Sequence, residues 1–377
     1  MSRRARFLLG AAAVTLALTA FAERGEAHKP ITSPFTFNED VLPIIRQRCA
    51  ACHVAGGVAP MSLLTHPEAV PWGESIRLEL LSGHMPPWSV DSAPGRFRNV
   101  QMLSGRELNV LLTWVSGGTP PGESDTAHAA IEPTRSWPLG TPDLVLPLPQ
   151  QVTLSSEMQE HVAEFTIALP DGAPRVLRAV DLLPGTASIV RSAVISTTGS
   201  GTAERVLTVW VPGDHPVPLD EGAAFVVPSD GGIRVQVRYR KTWEYERREM
   251  TDRSEVGLYF AGPFASEVRA LELTPAGITT REPMRAVAIY PDTRLAHAHV
   301  TVVATRPNGS REELIAFRPQ AGWARRYWFA ESIVLPAGTR IDVNVASSDE
   351  DLLPPGALPP QSPDPSAVRL TLNVIPE

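Results

Sequence analysis

Cys49-Ala50-Ala51-Cys52-His53 contains the only two cysteines of a 377-residue chain, and its reading decides what the N-terminal part is built around. A Cys-x-x-Cys-His run is the attachment signature of c-type haem. Two thiols one helical turn apart add to the two vinyl groups of a porphyrin, and the adjacent imidazole falls beneath the iron as proximal ligand. The plainer readings are a redox dithiol, half a zinc site or one structural disulfide. A zinc site needs more thiolates or imidazoles at ligand spacing, and no second Cys-x-x-Cys exists. A dithiol oxidoreductase needs no histidine after the second cysteine and sits in an α/β pattern that this chain lacks. The motif therefore points to covalent haem on Cys49 and Cys52 with His53 as an axial ligand.

The N-terminus agrees. Arg3, Arg4 and Arg6 precede an apolar stretch from Phe7 to Ala22, which ends in Ala20-Phe21-Ala22 and is followed by Glu23-Arg24-Gly25-Glu26. A basic start, a short apolar run and a small-residue end read as a secretory signal over residues 1–27. The run is shorter than a comfortable membrane span. An uncleaved anchor stays open as the alternative, and no stable span is expected after cleavage. The mature chain is expected to be periplasmic or secreted, where haem is attached covalently in bacteria. The net charge of −7 is mild and argues against nucleic acid as a partner. Lys29 and Lys241 are the lysines among the 34 basic residues, and the rest are arginine. Thirty-seven prolines and 27 glycines indicate many turns and short strands rather than long helices.

Residues 34–118 read as a small helical unit. Thr36 or Asn38 starts a helix carrying Val41, Leu42, Ile44 and Ile45. Ser104-Gly105-Arg106-Glu107 has the Ser-x-x-Glu form of a capping box. Leu108, Leu111, Leu112 and Val115 follow at helical spacing, and Gly117-Gly118 supplies the stop. Residues 119–142, rich in proline and without periodicity, read as a linker. Beyond them the chain changes to short β-like runs separated by turn residues, among them Ala187–Ser196, Arg205–Val211, Ile233–Tyr239, Val256–Phe260, His299–Thr305 and Thr339–Val345. This pattern implies two β-sandwiches, 143–265 and 266–377. The expected fold is a small all-α cytochrome c domain followed by an all-β double β-sandwich, jelly-roll-like module.

The sixth iron ligand is expected from Gly83-His84-Met85-Pro86-Pro87-Trp88. Prolines stiffen the backbone around the Met85 thioether, and Trp88 is placed to wall the crevice against water. Burial and sulfur ligation both favour reduced iron. Met61, eight residues from His53, Met102, just before the last helix, and His84 are the rivals, and core filling is the ordinary role of any one methionine. His66 reads as a surface or helix-start residue. Seven acidic residues against six arginines over positions 34–122 leave no strong patch to steer a partner.

These segments together resemble a bacterial family that fuses a class I-type cytochrome c to a copper type II ascorbate-dependent monooxygenase-like module with the peptidylglycine hydroxylating fold. The helical part carries Phe37, Val41-Leu42-Pro43, the haem motif, Ala59-Pro60-Met61-Ser62-Leu63, Met85-Pro86-Pro87-Trp88 and Trp114-Val115. The β part carries Trp210-Val211-Pro212-Gly213, the run from Arg238-Tyr239 to Asp252-Arg253-Ser254, Gly257-Leu258, Pro307-Asn308-Gly309 and Leu335-Pro336-Ala337-Gly338-Thr339-Arg340. The resemblance implies copper, but its ligands are missing. Arg191-Ser192 stands where the family has His-His, Arg238-Tyr239 where it has His-Tyr, and Asp292-Thr293-Arg294 where it has His-x-His. After residue 143 the histidines are His161, His215, His297 and His299, and no methionine follows Met284. Two such copper sites need about five imidazoles and one thioether, and arginine stays protonated with no lone pair to give. Arg191 and Arg238 are expected to pair with carboxylates instead. His297-Ala298-His299 puts two imidazoles on one strand face without a third ligand.

The leading expectation is an extracytoplasmic monohaem c-type cytochrome. It would pass single electrons to a redox partner protein and carry a copper-free, monooxygenase-like β module for docking or assembly, with no catalytic residue of its own. The alternatives are a copper monooxygenase fed by its own haem, and a haem-based sensor or binding protein with an open sixth position.

Overall fold

The computed structural model describes residues 32–347 and 367–377, apart from positions 89, 92–94, 99–101, 124–135, 171–174, 200–203, 221, 292–297 and 321. The expected signal segment and the middle of the expected linker lie outside the described residues, as do Asp292, Thr293, Arg294 and His297.

The first element among the described residues is a π-helical turn, Phe37–Val41, that runs into α1 (Leu42–Arg48). Thr36 is the N-cap, with its backbone N–H bound to the Asp40 carboxylate at 2.8 Å. Two short helices follow, α2 (His66–Ala69) and α3 (Gly73–Leu81), then α4 (Gly105–Ser116). The capping box forms as the sequence implies. The Glu107 N–H donates to Ser104 Oγ at 3.2 Å, and the Ser104 N–H donates to Glu107 Oε2 at 2.6 Å. The face that α4 buries is Val110, Leu111 and Trp114; Leu108, Leu112 and Val115 are only half-buried. Trp114 explains the rotation. It is completely buried, packs on Phe37 at 5.7 Å, and turns the helix so that this ring, not the leucine stripe, points inward.

The strands of the first β part are β1 (Leu144–Pro147), β2 (Val152–Leu154), β3 (Glu160–Ala168), β4 (Arg175–Leu183), β5 (Val190–Thr198), β6 (Val206–Trp210), β7 (Gly222–Val227), β8 (Gly232–Arg240), β9 (Met250–Asp252), β10 (Glu255–Phe260) and β11 (Phe264–Glu267). The second part adds β12 (Arg269–Leu273), β13 (Ile278–Thr279), β14 (Met284–Pro291), β15 (Ala298–Thr305), β16 (Arg311–Phe317), β17 (Tyr327–Leu335), β18 (Arg340–Ser347) and β19 (Leu370–Pro376). Four main sheets form, in the orders β1-β10-β4-β7-β11, β3-β8-β5-β6, β12-β19-β14-β17 and β13-β18-β15-β16, with β2-β9 as a two-stranded ribbon. The first two sheets share one apolar core and the last two another. Strand β8 shows the period-two logic that shapes them. Ile233, Val235, Val237 and Tyr239 are fully buried, while Arg234, Gln236, Arg238 and Arg240 lie on the opposite face.

The expected division into a small all-α cytochrome c domain and an all-β double β-sandwich module does not describe this molecule. Strand accounts for 42% of it and helix for 15%, so the protein is mostly β, and among the described residues no separate all-α domain stands apart. Part of the stretch read as helical belongs to a β core. Val90 bridges Phe317 and Phe97 bridges Phe329, with the Phe97 and Phe329 rings stacked at 5.3 Å. The Arg98 N–H donates to the Trp328 carbonyl at 2.8 Å, and the Ala330 N–H donates to the Arg96 carbonyl at 2.9 Å. The physical reason is that two apolar residues seven apart give no periodicity of their own, yet they cover the edge of β16 and β17.

The described ends of the stretch read as a linker are packed. Pro120 accepts from the Phe37 N–H at 2.9 Å and from Trp114 Nε1 at 3.1 Å, and Gly140 accepts from the Tyr259 hydroxyl at 2.9 Å. Arginines tie the two β parts together. Buried Arg326 donates to the carbonyls of Leu207 and Val206 at 2.8 and 2.7 Å, and Arg98 pairs with Asp220 at 2.8 Å. Among the described residues no helix is long and apolar enough to cross a membrane.

Candidate cofactor cavity

The five-residue motif continues α1 by one turn. The Cys49 N–H donates to the Ile45 carbonyl at 2.8 Å, and the His53 N–H donates to the Cys49 carbonyl at 2.9 Å. The turn puts both thiols and the imidazole on one side of the chain. A tight loop then doubles back, with the Ala59 N–H on the Cys52 carbonyl at 3.1 Å and the Leu63 N–H on the His53 carbonyl at 3.2 Å. Gly57 is required there, because a Cβ at this position would stand 2.5 Å from the Cys52 carbonyl oxygen.

Cys49, Cys52, His53 and Met85 line one cavity of about 1020 Å³, at the upper end of the ~300–1,000 Å³ usual for cofactor sites. Its apolar wall comes from the helical core, with Ile45, Leu111 and Trp114. The opposite wall is the outer face of sheet β3-β8-β5-β6 and the loop after β6, including Arg191, Arg238, Pro212 and Gly213. The Cys52 Sγ lies 3.7 Å from the Pro212 carbonyl oxygen, so helical and β parts meet at the motif itself.

Burial dominates the chemistry. It pushes the Cys49 thiol up to about 12, with the neighbouring Cys52 adding to the effect, and pushes the Cys52 thiol up to about 11. Both cysteines are free. Burial also lowers the pKa of His53, which keeps the ring neutral and a nitrogen lone pair available. The Nδ1 atom of His53 is buried with no hydrogen-bond partner among the described residues. Two free thiols, a neutral imidazole and a thioether therefore line one cavity, apolar on its helical side. That donor set fits a covalently held haem.

The rival ligands separate by position. Met61 lines the same cavity, whereas Met102 is 40% exposed and outside it. The His84 side chain is 66% exposed, beside Glu79 at 3.4 Å. His66 opens α2, with its Nε2 at 2.8 Å from the Thr119 carbonyl and its ring edge-on to Phe37. Trp88 does not wall the crevice. It packs edge-on to Tyr327 at 5.1 Å, beneath the Arg325 guanidinium at 5.5 Å, and so belongs to the β side.

Arg238, where the resemblance puts a copper ligand, pairs with Glu160 at 3.3 Å, and Glu160 is shared with Arg240 at 3.1 Å. The Tyr239 hydroxyl donates to buried Asp252 at 3.0 Å. Arg191 departs from the expected carboxylate pairing: it donates to the backbone carbonyls of Val58 and, at 3.1 Å, Arg240. His299 lies on β15, 3.6 Å from Asp91.

Sequence reading missed that the β sheet forms a wall of this cavity. The available signal was the polar face of β8, on which Arg238 and Arg240 alternate with buried residues. It also missed buried Asp181, which accepts from the Leu182 N–H at 2.8 Å and whose carboxyl is pushed up to about 7 by burial.

No protein-family model matches the chain, and no curated protein matches it. Among solved structures, vicilin from Solanum lycopersicum (tomato) aligns over 58% of this chain and 74% of its own with 8% identity. The TM-score of that alignment, 0.10, carries no argument about fold or function.

Proposed function

We propose that this protein is an extracytoplasmic, monohaem c-type electron-transfer protein, with the haem held through Cys49 and Cys52 and its iron between His53 and Met85. One observation carries the reading: the Cys-x-x-Cys-His turn and Met85, 32 residues away, line the same cavity. When bound, the haem supplies a one-electron couple. The chain's own residues do the rest. Cys49 and Cys52 fix the cofactor in the cavity, and neutral His53 offers a nitrogen to the iron. Ile45, Leu111 and Trp114 keep water from one face, and the Met85 thioether favours the reduced state. The sheet face with Arg191 and Arg238 is a wall of the site rather than a second metal centre, because guanidinium groups repel cations. Electrons would pass to and from a separate redox protein, and the β part serves docking or assembly.

The test is maturation of the full chain in a host with a c-type haem attachment system, followed by denaturation and extraction with acidified organic solvent. Haem that stays on the polypeptide supports the reading, and haem that is extracted overturns it. In the oxidised protein a weak near-infrared sulfur-to-iron band is expected, lost in Met85→Ala and kept in Met61→Ala; the reverse pattern would move the ligand to Met61.

A further inference from the structure

Arg191 occupies an unusual place in the cavity wall. Along the β5–β8 pair Val190 faces Tyr239 and Ser192 faces Arg238, so Arg191 is an extra residue inserted between two consecutive pairings. Such a bulge leaves its residue out of the ladder and re-aims the side chain. Here the side chain is aimed into the cofactor cavity, where it donates to the carbonyl of Val58 in the loop after the haem motif. Its Nε is held by the Arg240 carbonyl at 3.1 Å, which fixes the direction of the guanidinium.

The charge of this group is offset only at longer range, by Glu160, and is opposed by the neighbouring Arg240 and Arg238. Glu160 is shared between Arg238 and Arg240, and Asp214 pairs with Arg325 at 3.5 Å. Among the described residues no carboxylate lies within ion-pairing distance of Arg191; its partners are carbonyl oxygens. Burial lowers its pKa to about 10, so the guanidinium stays charged at neutral pH; its field reaches Cys52 second to that of Arg325, whose partner Asp214 opposes it there. A fixed positive charge on a partly buried side chain stabilises an added electron nearby more than it would in bulk solvent.

We propose that Arg191 raises the reduction potential of the cofactor site, as a cation without an ion-pair partner that lines the same cavity as Cys52 and clamps the loop after the motif through Val58. This rests on the cavity being a c-type haem site. Arg191 is a positioning and tuning residue, with no part in holding the iron.

The experiment is spectroelectrochemical titration of the haem-loaded full chain against Arg191→Gln and Arg191→Lys, with haem retention after denaturation measured on each. Arg191→Gln is expected to keep its haem and low-spin spectrum. Its reduced-to-oxidised ratio at the wild-type midpoint should fall about tenfold, equivalent to ~59 mV for a one-electron couple. The shift should persist at high salt, because buried charges are screened little. Arg191→Lys keeps the charge but not the fork geometry, and should return most of the ratio. If glutamine prevents folding, Arg191→Met, which keeps the aliphatic stem, takes its place. A haem-loaded neutral variant whose midpoint superimposes on wild type overturns the proposal, as does Arg191→Lys falling as far as Arg191→Gln. Wild-type protein that retains no haem overturns the reading of the cavity itself, a result distinct from either.

Discussion

Removing the Trp114 ring tests how the cofactor cavity is held open on its helical side. Trp114 is completely buried and lines the cavity, lies 5.7 Å from the Phe37 ring and 6.4 Å from His66, and donates from Nε1 to the Pro120 carbonyl at 3.1 Å. Trp114→Ala removes the largest side chain in a small core, at a cost of about 3–5 kcal/mol for a buried aromatic. The lost indole hydrogen bond adds about 1 kcal/mol. Trp114→Phe retains a ring against Phe37 and loses the donor, so about 1–2 kcal/mol is expected. These costs are local, because α1 and α4 share the ring while the β cores do not include it. Amide hydrogen exchange on peptides covering 37–48 and 105–116 gives the readout. Each ~1.4 kcal/mol is a factor of ten in opening, so Trp114→Ala should speed exchange there about 1,000-fold or more and Trp114→Phe about tenfold. Peptides covering Gly232–Arg240 should be unchanged. Exchange of the helical peptides within threefold of wild type in Trp114→Ala would refute the argument that this ring joins the two helices.

Three further outcomes are expected. Ser104→Ala should destabilise α4 by about 1 kcal/mol, seen as faster exchange in the first turn of that helix only. The carboxyl of Asp181, pushed from 3.8 up to about 7, makes the folded state bind a proton that the unfolded state has released. Stability should therefore fall as pH rises from about 4 to about 7 and stay level above; urea titrations of Asp181→Asn should be flatter across that window and more stable than wild type at pH 8. Elemental analysis of protein matured with copper present and dialysed against a mild chelator should return iron near one equivalent and negligible copper, whereas stoichiometric copper with ascorbate-dependent oxygen uptake would restore the monooxygenase reading.

Local rules were readable where a residue's fate depends on its near neighbours. The capping box at Ser104 and Glu107 and the alternation from Ile233 to Tyr239 both form as their patterns imply. Patterns failed where distant chain decides. Two overlapping apolar stripes run along α4, and the buried one packs Trp114 against the ring of Phe37, 77 residues away in sequence. Val90 and Phe97 look like loop residues beside prolines and glycines, yet Phe317 and Phe329 draw them into a β core. That long-range pairing is why the expected free-standing helical domain does not exist.

The cavity divides along the same line. The spacing inside one helical turn already places Cys49, Cys52 and His53 together, and the structure adds Met85 to the same cavity. The far wall has no such signature. Arg191 enters the cavity only because β5 gains one residue relative to β8, and register is a property of two strands, not of either sequence alone. A single deletion at this bulge would return the strand to regular pairing and turn residue 191 out of the wall. The sequence therefore specifies the grouping of two thiols and an imidazole locally, and the pairing of β5 with β8 determines the electrostatic surroundings of that group.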